Sequence, residues 1–127
     1  MGDARGATGP GDEVRLLFFR SAGERFALDV AYVREIIPQQ DVTPVPFVPS
    51  TVAGIINHRG TIYTLIRFAA LAGLGKDREG IVALLRLPEM AVGIAVEAVE
   101  GIEQVPGRQL HTIAAETNNN VRQTTRP

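Results

Sequence analysis

Apolar and polar positions along the chain fall into short runs, not into long helical stripes. The first run, VRLLFFR (residues 14–20), is densely apolar and leads into Ser21-Ala22-Gly23-Glu24. RFALDV (residues 25–30) alternates cleanly, with Phe26, Leu28 and Val30 on one face and Arg25, Ala27 and Asp29 on the other. A strand alternates its side chains with a period of two, so two such runs across a short glycine-containing link predict a β-hairpin. AYVREII (residues 31–37) fits one helical turn leading into a strand, and Pro38 stops any helix from continuing. Pro38, Pro44, Pro46 and Pro49 then exclude a regular element over residues 38–49. The expectation there is an extended surface loop that loses little entropy when a partner binds it.

TVAGIINHRG and TIYTLIRF (residues 51–68) predict a second strand pair. Gly54 inside its first strand marks a bulge or the close approach of another backbone. AALAGLG (residues 69–75) reads as a short helical turn closed by Gly73 and Gly75. KDRE (residues 76–79) marks a boundary, after which the pattern restarts. IVALLRL predicts a buried strand, LPEM a short turn, and MAVGIAVEAV a strand with Met90, Val92, Ile94 and Val96 on one face. GIEQVP ends the β pattern. The recurrence of Glu97, Glu100 and Glu103 every third residue would also fit a helix over residues 95–105, but Gly101 and the alternation before it favour strand. Several short strands in two groups, joined by Pro- and Gly-rich connections, suggest small barrels. The patternless residues 1–13 and the polar residues 111–127 are expected to be disordered arms.

Composition narrows the function more than the fold. A chain of 127 residues is one domain, or two small subdomains sharing a core. A net charge of −1 argues against a nucleic-acid binder, which ordinarily carries a basic excess. The absence of cysteine excludes disulfides, thiolate metal sites and cysteine nucleophiles. Residues 1–13 hold no apolar run of signal-peptide type, and no apolar stretch approaches the roughly 20 residues of a membrane helix. A soluble protein inside the cell is the expectation.

Catalysis lacks its parts. The two histidines, His58 and His111, form no metal-binding spacing, and no phosphate-cradling or dinucleotide glycine pattern follows a strand. Alternating strand faces would scatter Glu97, Glu100 and Glu103 along a solvated edge. Ser21 and Ser50 have no neighbouring base, and Ser50 reads as a helix cap. No catalytic residue, metal site or cofactor is expected.

The polar turn inside GIINHRGTIY (residues 54–63) remains. Asn57 and Gly60 tolerate positive backbone dihedrals and suit a turn, and His58 beside an apolar run suits packing or a hydrogen bond. A turn has no need of Arg59, whose planar five-donor fork matches a carboxylate partner. Arg59 is therefore the candidate for an interaction.

Four blocks in this order resemble the CheW family, the scaffold domains of bacterial chemotaxis. GIINHRGTI is similar to the family's G-[VI]-[IV]-N-L-R-G-x-[IV], and VAYVREII to its upstream [IV]-x-x-V-x-E-[IV]. VPSTVAGI matches P-x-x-[IV]-x-G, and AVGIAVEAVEGIEQVP matches the downstream VGLVVDEVxEVxxVP hairpin. The likeness spans residues 14–110, which the resemblance makes the CheW-like domain. It implies an all-β fold of two small SH3-like five-stranded β-barrel subdomains, and a non-enzymatic adaptor. Such an adaptor couples the cytoplasmic helical hairpin of a chemoreceptor to the regulatory domain of a CheA-type histidine kinase, in receptor arrays at the inner face of the membrane. Carried over by position, Glu35 and Arg59 match the family's pairing Glu and Arg; Val33, Ile36, Gly54 and Gly60 match neighbouring docking positions, and Asn57 stands among them.

The chain departs from the family pattern in three places. His58 replaces the usual leucine, which alters one core contact or makes it pH-sensitive. Thr64 and Arg67 stand where a P-V-I-D-L segment would place Pro and Asp, removing a helix cap. Past Leu110 the family continues into further strand and helix while this chain turns polar, so a second barrel left incomplete, closed by a partner or by self-association, is expected. The rival readings are a CheW-like module of another two-component pathway (motility, development or surface sensing) and a small-barrel nucleic-acid binder. The second would need basic residues interleaved with exposed aromatics.

Overall fold

Within residues 13–106, which the computed structural model describes, each predicted strand forms. The order is β1 (Glu13–Ser21), β2 (Glu24–Asp29), a 3-10 turn (Val30–Tyr32) and β3 (Val33–Pro38). It continues with β4 (Val52–His58), β5 (Thr61–Arg67), helix α1 (Phe68–Leu71), β6 (Ile81–Leu85), β7 (Val92–Val96) and β8 (Ala98–Pro106). The all-β, two-subdomain expectation is borne out as two sheets, one of three strands in the order β2-β1-β8 and one of five in the order β3-β6-β7-β5-β4. The expectations for residues 1–12 and 107–127, with Leu110, His111 and the incomplete barrel, lie outside the described residues.

Local readings hold closely. Asp29 caps the 3-10 turn by accepting from the Ala31 N–H at 2.8 Å, and the turn runs straight into β3. Arg67 at the head of α1 makes no side-chain cap hydrogen bond, as the missing Asp implies. The helix spans one turn and begins at Phe68, one residue before the predicted segment. Ser50 is not a helix cap, because β4 follows at Val52. The glutamate-rich segment is β8, not a helix.

The pairing of strands differs from the sequence grouping. The KDRE boundary does not divide the sheets: β6 and β7 insert between β3 and β5, and β7 runs parallel to β5. β6 and β7 are consequently apolar on both sides. Val82, Leu84 and Ala95 face an interior with Ile37, Ile56, Tyr63 and Leu65. Ala83, Ile94 and Val96 pack outward against Phe19 and Phe26 of the three-stranded sheet. Val92, Ile94 and Val96 thus share a face, but it is not opposed by a solvated one, and Met90 lies outside the strand and exposed. Phe68 enters between the sheets, its ring 5.0 Å from Phe19 and 4.7 Å from Phe26 in edge-on contacts. Edge-on aromatic pairs add about 0.5–1.5 kcal/mol each beyond the area they bury.

The outer strands of the five-stranded sheet, β3 and β4, are brought together by the chain that leaves β3. Thr43 N–H donates to the Ile55 carbonyl and Ile55 N–H to the Thr43 carbonyl, both at 2.9 Å. This bridge rolls the sheet into a barrel. Gly54 allows it: its φ is +147°, and a Cβ there would lie 2.3 Å from the Thr43 oxygen. Both sequence readings of Gly54 hold, since the β4–β5 register also shifts between Val52 and Gly54.

Polar contacts tie the two sheets. Asp77 accepts from the wholly buried Ser21 hydroxyl and from the Ala22 N–H, joining the loop after α1 to the β1–β2 turn. On the outer face the glutamates are not scattered. A bulge at Phe18/Phe19 leaves Glu100 outside the pairing, and Arg25 reaches both Glu100 at 2.7 Å and Glu103 at 3.4 Å while covering the Phe18 ring. The Arg25 hydrogen bond holds the Glu100 carboxyl below its ordinary value of 4.5.

Two outcomes follow from this packing. Gly54→Ala should cost about 2 kcal/mol or more in denaturant unfolding and speed exchange of the Thr43 and Ile55 amides; unchanged exchange would show that the bridge does not close the barrel. A carboxylate whose pKa is lowered by folding contributes stability above its ordinary value, and that contribution is lost as pH falls through the folded value. Glu100→Gln should therefore flatten the decline in melting temperature below pH 4.5 compared with the parent chain.

A candidate docking site where the barrel edges meet

The β4–β5 hairpin pairs His58 with Thr61, so its loop is the two residues Arg59 and Gly60. Their φ angles are +54° and +85°. Two positive φ angles give the primed turn whose twist matches the flanking strands, and Asn, Asp or Gly is the usual occupant. Gly60 answers the conformation alone, because a Cβ there would meet nothing within 4 Å. Asn57 Oδ1 accepts the Gly60 N–H at 3.0 Å and pins the turn. Arg59 has no such justification: a left-handed conformation costs a β-carbon residue about 1–2 kcal/mol, and its side chain is 75% exposed. Arg59 thus holds a conformation that its side chain does not favour, exposed at the tip of the hairpin.

β3 supplies the opposing group. A bulge between Val33 and Glu35 in the β3–β6 register delivers the Glu35 carboxylate to the barrel mouth. Arg59 Nη2 lies 3.4 Å from Glu35 Oε2, and Nη1 donates to Oε1 at 3.5 Å. His58 Nε2 is nearer, 3.2 Å from Oε1, and Gln40 Nε2 lies 3.4 Å from His58 Nδ1. The His58 side chain is only 13% exposed, against 31% for Glu35. The carboxylate is thus held from below by a nearly buried imidazole and from above by a solvated guanidinium.

The structure brings together Glu35, Asn57, Arg59 and Gly60 of the expected residues. Ile36 lies on the face of β3 opposite Glu35 and Ile37 and is exposed, and Val33 is half-buried at the strand's start. Gly54 is buried under Thr43, so it builds the barrel and offers no surface to a partner. His58 and Gln40 were not expected at the site. The signal was present for His58: it follows Ile56 by two positions, on the inward face of β4, where a polar ring needs a partner. Beside the turn lies a hollow of about 370 Å³, with Ile55 and Ile62 among apolar lining groups and Gln40, Asp41 and Asn57 among polar ones. Ile62 is half-exposed there. Among the described residues no cluster of His, Cys, Asp or Glu could hold a metal ion, and no helix is long and apolar enough to cross a membrane.

The family model described as the CheW-like domain matches residues 15–127. The chemotaxis protein CheW of Thermotoga maritima is 30% identical over 100 residues, covering 77% of this chain and 66% of that protein. The chemotaxis protein CheW of Rhizobium meliloti is 30% identical over 98 residues, covering 75% of this chain and 63% of that one. The crystal structure of scaffolding protein TtCheW from Thermoanaerobacter tengcongensis matches with a TM-score of 0.66 at 27% identity, over 73% of this chain and 64% of that chain. The chain thus spans less than two-thirds of the length of these relatives.

Replacing Arg59 by Asn restores the favoured Asn-Gly turn. We expect Arg59→Asn to raise stability by up to about 1 kcal/mol in urea unfolding. A loss of stability would mean that the arginine is a structural element of the turn.

Proposed function

The chain belongs to the CheW-like domain family, and from that premise we propose that it is a non-catalytic adaptor of chemotaxis signalling. It joins the helical hairpin tip of a chemoreceptor to the regulatory domain of a CheA-type histidine kinase, in the cytoplasm beneath the membrane. The observation that carries this reading is Arg59, exposed and held in a left-handed conformation beside Glu35. A helical hairpin presents apolar ridges and a few polar anchors, and binding to it calls for an apolar surface edged by oriented charges. Ile62 and the hollow beside it supply the first, Arg59 and Glu35 the second.

An exposed ion pair adds only about 0–1 kcal/mol to stability. The role of the Glu35–Arg59 pair is therefore to hold an arginine fork in one geometry, so that less side-chain entropy is lost on docking.

Arg59→Ala and Glu35→Lys should each leave the melting temperature nearly unchanged. Each should weaken binding to the kinase regulatory domain or to a receptor tip peptide roughly tenfold, the loss expected of a binding hot spot. A large drop in stability with unchanged affinity would sink the assignment. A pull-down from the native cell asks the same of the partners: recovery of a chemoreceptor and a CheA-type kinase is the expected result. A kinase and sensor of another pathway would keep the docking role and change the circuit.

A further inference from the structure

The proline-rich chain between β3 and β4 carries the most exposed large apolar side chain of the described residues. Phe47 is fully open to solvent, at 104%, and neither the barrel core nor the site at Arg59 uses it. We propose that Phe47 is a plug: it enters a hollow beside α1 on a second copy of this chain, and the reciprocal insertion closes a twofold dimer. The proposal is independent of the docking reading of Arg59.

The backbone holds the ring out. Pro46 and Phe47 are the central residues of a turn, and the φ of Phe47 is +61°. Proline followed by a positive φ is the type II arrangement, in which Gly or Asn ordinarily takes the second central place. A bulky side chain is disfavoured there. Both ends of the loop are fastened. Thr43 is bridged to Ile55, and the Val52 N–H donates to the Pro49 carbonyl at 2.9 Å. Pro44, Pro46 and Pro49 fix three of the φ angles in between. The ring is thus presented already ordered, and little backbone entropy is left to lose when it is buried.

A hollow that suits such a ring lies on the same molecule. It measures about 690 Å³, and Ala70, Gly73 and Gly75 leave it open, with Ser50 on one side and Arg67 and Lys76 among the other lining groups. Pockets of roughly 300–1,000 Å³ hold small aromatic ligands. Arg67 and Lys76 offer cations to the negative face of an aromatic ring, and Glu79 restrains Arg67 at 3.6 Å. Residues 42–50 carry no charge, so nothing on the loop is repelled by this rim.

The placing of plug and hollow selects the occupant. Ser50 lines the hollow and follows Phe47 by three residues, so the two lie within roughly 11 Å along the chain. The turn nevertheless keeps Phe47 out of its own hollow, as its exposure shows. A face that carries both a plug and a hollow is self-complementary, which is what a twofold contact between identical chains requires. Burying an aromatic side chain removes about 150–250 Å². Two plugs, with the matching loss from each hollow, remove about 600–1,000 Å² in all. Val45, Val48 and Leu71, exposed to 36%, 38% and 60% around the plug and α1, extend the contact. The total then reaches the roughly 1,000 Å² of a specific interface.

The test is sedimentation equilibrium of the full chain across the micromolar range. The parent should pass from monomer to dimer with a Kd of about 1–100 μM, the weak end expected of so small an interface. Phe47→Asn supplies a residue that the turn favours, so it should unfold in urea no earlier than the parent while weakening self-association roughly thirtyfold or more. Ala70→Lys, which fills the hollow from α1, should have the same effect on self-association. In a mixture of isotope-labelled and unlabelled parent chains, NMR should detect the Phe47 ring against the Ala70 methyl group of the other copy. A parent that stays monomeric, or a dimer that survives Phe47→Asn, would overturn the proposal. So would a dimer in which Phe47 meets Phe47 across the axis and Ala70 meets nothing. Should Ala70→Lys fail to fold, the Phe47→Asn chain and the contact between copies still decide.

Discussion

Two backbone hydrogen bonds, between Thr43 and Ile55, decide the shape of this protein. A five-stranded sheet left open would set β3 and β4 at opposite edges, and no side chain of one could reach the other. The bridge folds the sheet over so that the edges become neighbours, and an interior containing Leu65, Leu84 and Val82 closes off from water. It is possible because residue 54 lacks a Cβ. Closure also protects a sheet edge that would otherwise present unpaired amides to another chain. The contact of Glu35 with His58 and Arg59 is a product of that closure, not its cause: surface ion pairs are too weak to bend a sheet.

The two sheets hold one another by different means on different sides. Between them three phenylalanine rings meet, two from the hairpin and one from the start of α1. At one end Asp77 ties the loop after α1 to the β1–β2 turn by two hydrogen bonds that its carboxylate accepts, from the Ser21 hydroxyl and the Ala22 N–H, and it also accepts from the Arg78 N–H within its own loop. The buried hydroxyl of Ser21 would be an expense without it. Glu79, in the same loop, has its carboxyl raised above the ordinary value by burial, with Arg67 partly offsetting the effect. The loop named as a boundary from sequence is thus a seam.

What could be read from the sequence was local. Alternation located the strands, proline the irregular loop, and Gly54 the close approach, because each depends on a few neighbouring residues. Hairpin partners were legible, β1 with β2 and β4 with β5; distant partners were not, since a strand carries no label for a neighbour tens of residues away. Nor were the bulges at Phe18/Phe19 and Val33/Glu35, and each one shifts the phase by which faces are counted. The bulge at Phe18/Phe19 is why Glu100 and Glu103 share Arg25 when simple alternation would separate them. At the candidate site the Glu35–Arg59 pairing came from the resemblance, and the geometry adds His58 and Gln40 beneath it. Of the same candidate set, Gly54 moved from surface to scaffold.

The three-stranded sheet pairs Glu13 with Pro106, the first described residue with the last. During synthesis the β1–β2 hairpin emerges early and has to wait while the whole barrel is made before β8 can join it. Phe19 and Phe26 have no partner sheet in that interval, because β6 and β7, against which they pack, also come later. Long-range pairing of this kind slows folding and exposes apolar strands along the way. The three-stranded sheet therefore cannot be completed until β8, the last of the described strands, has been made.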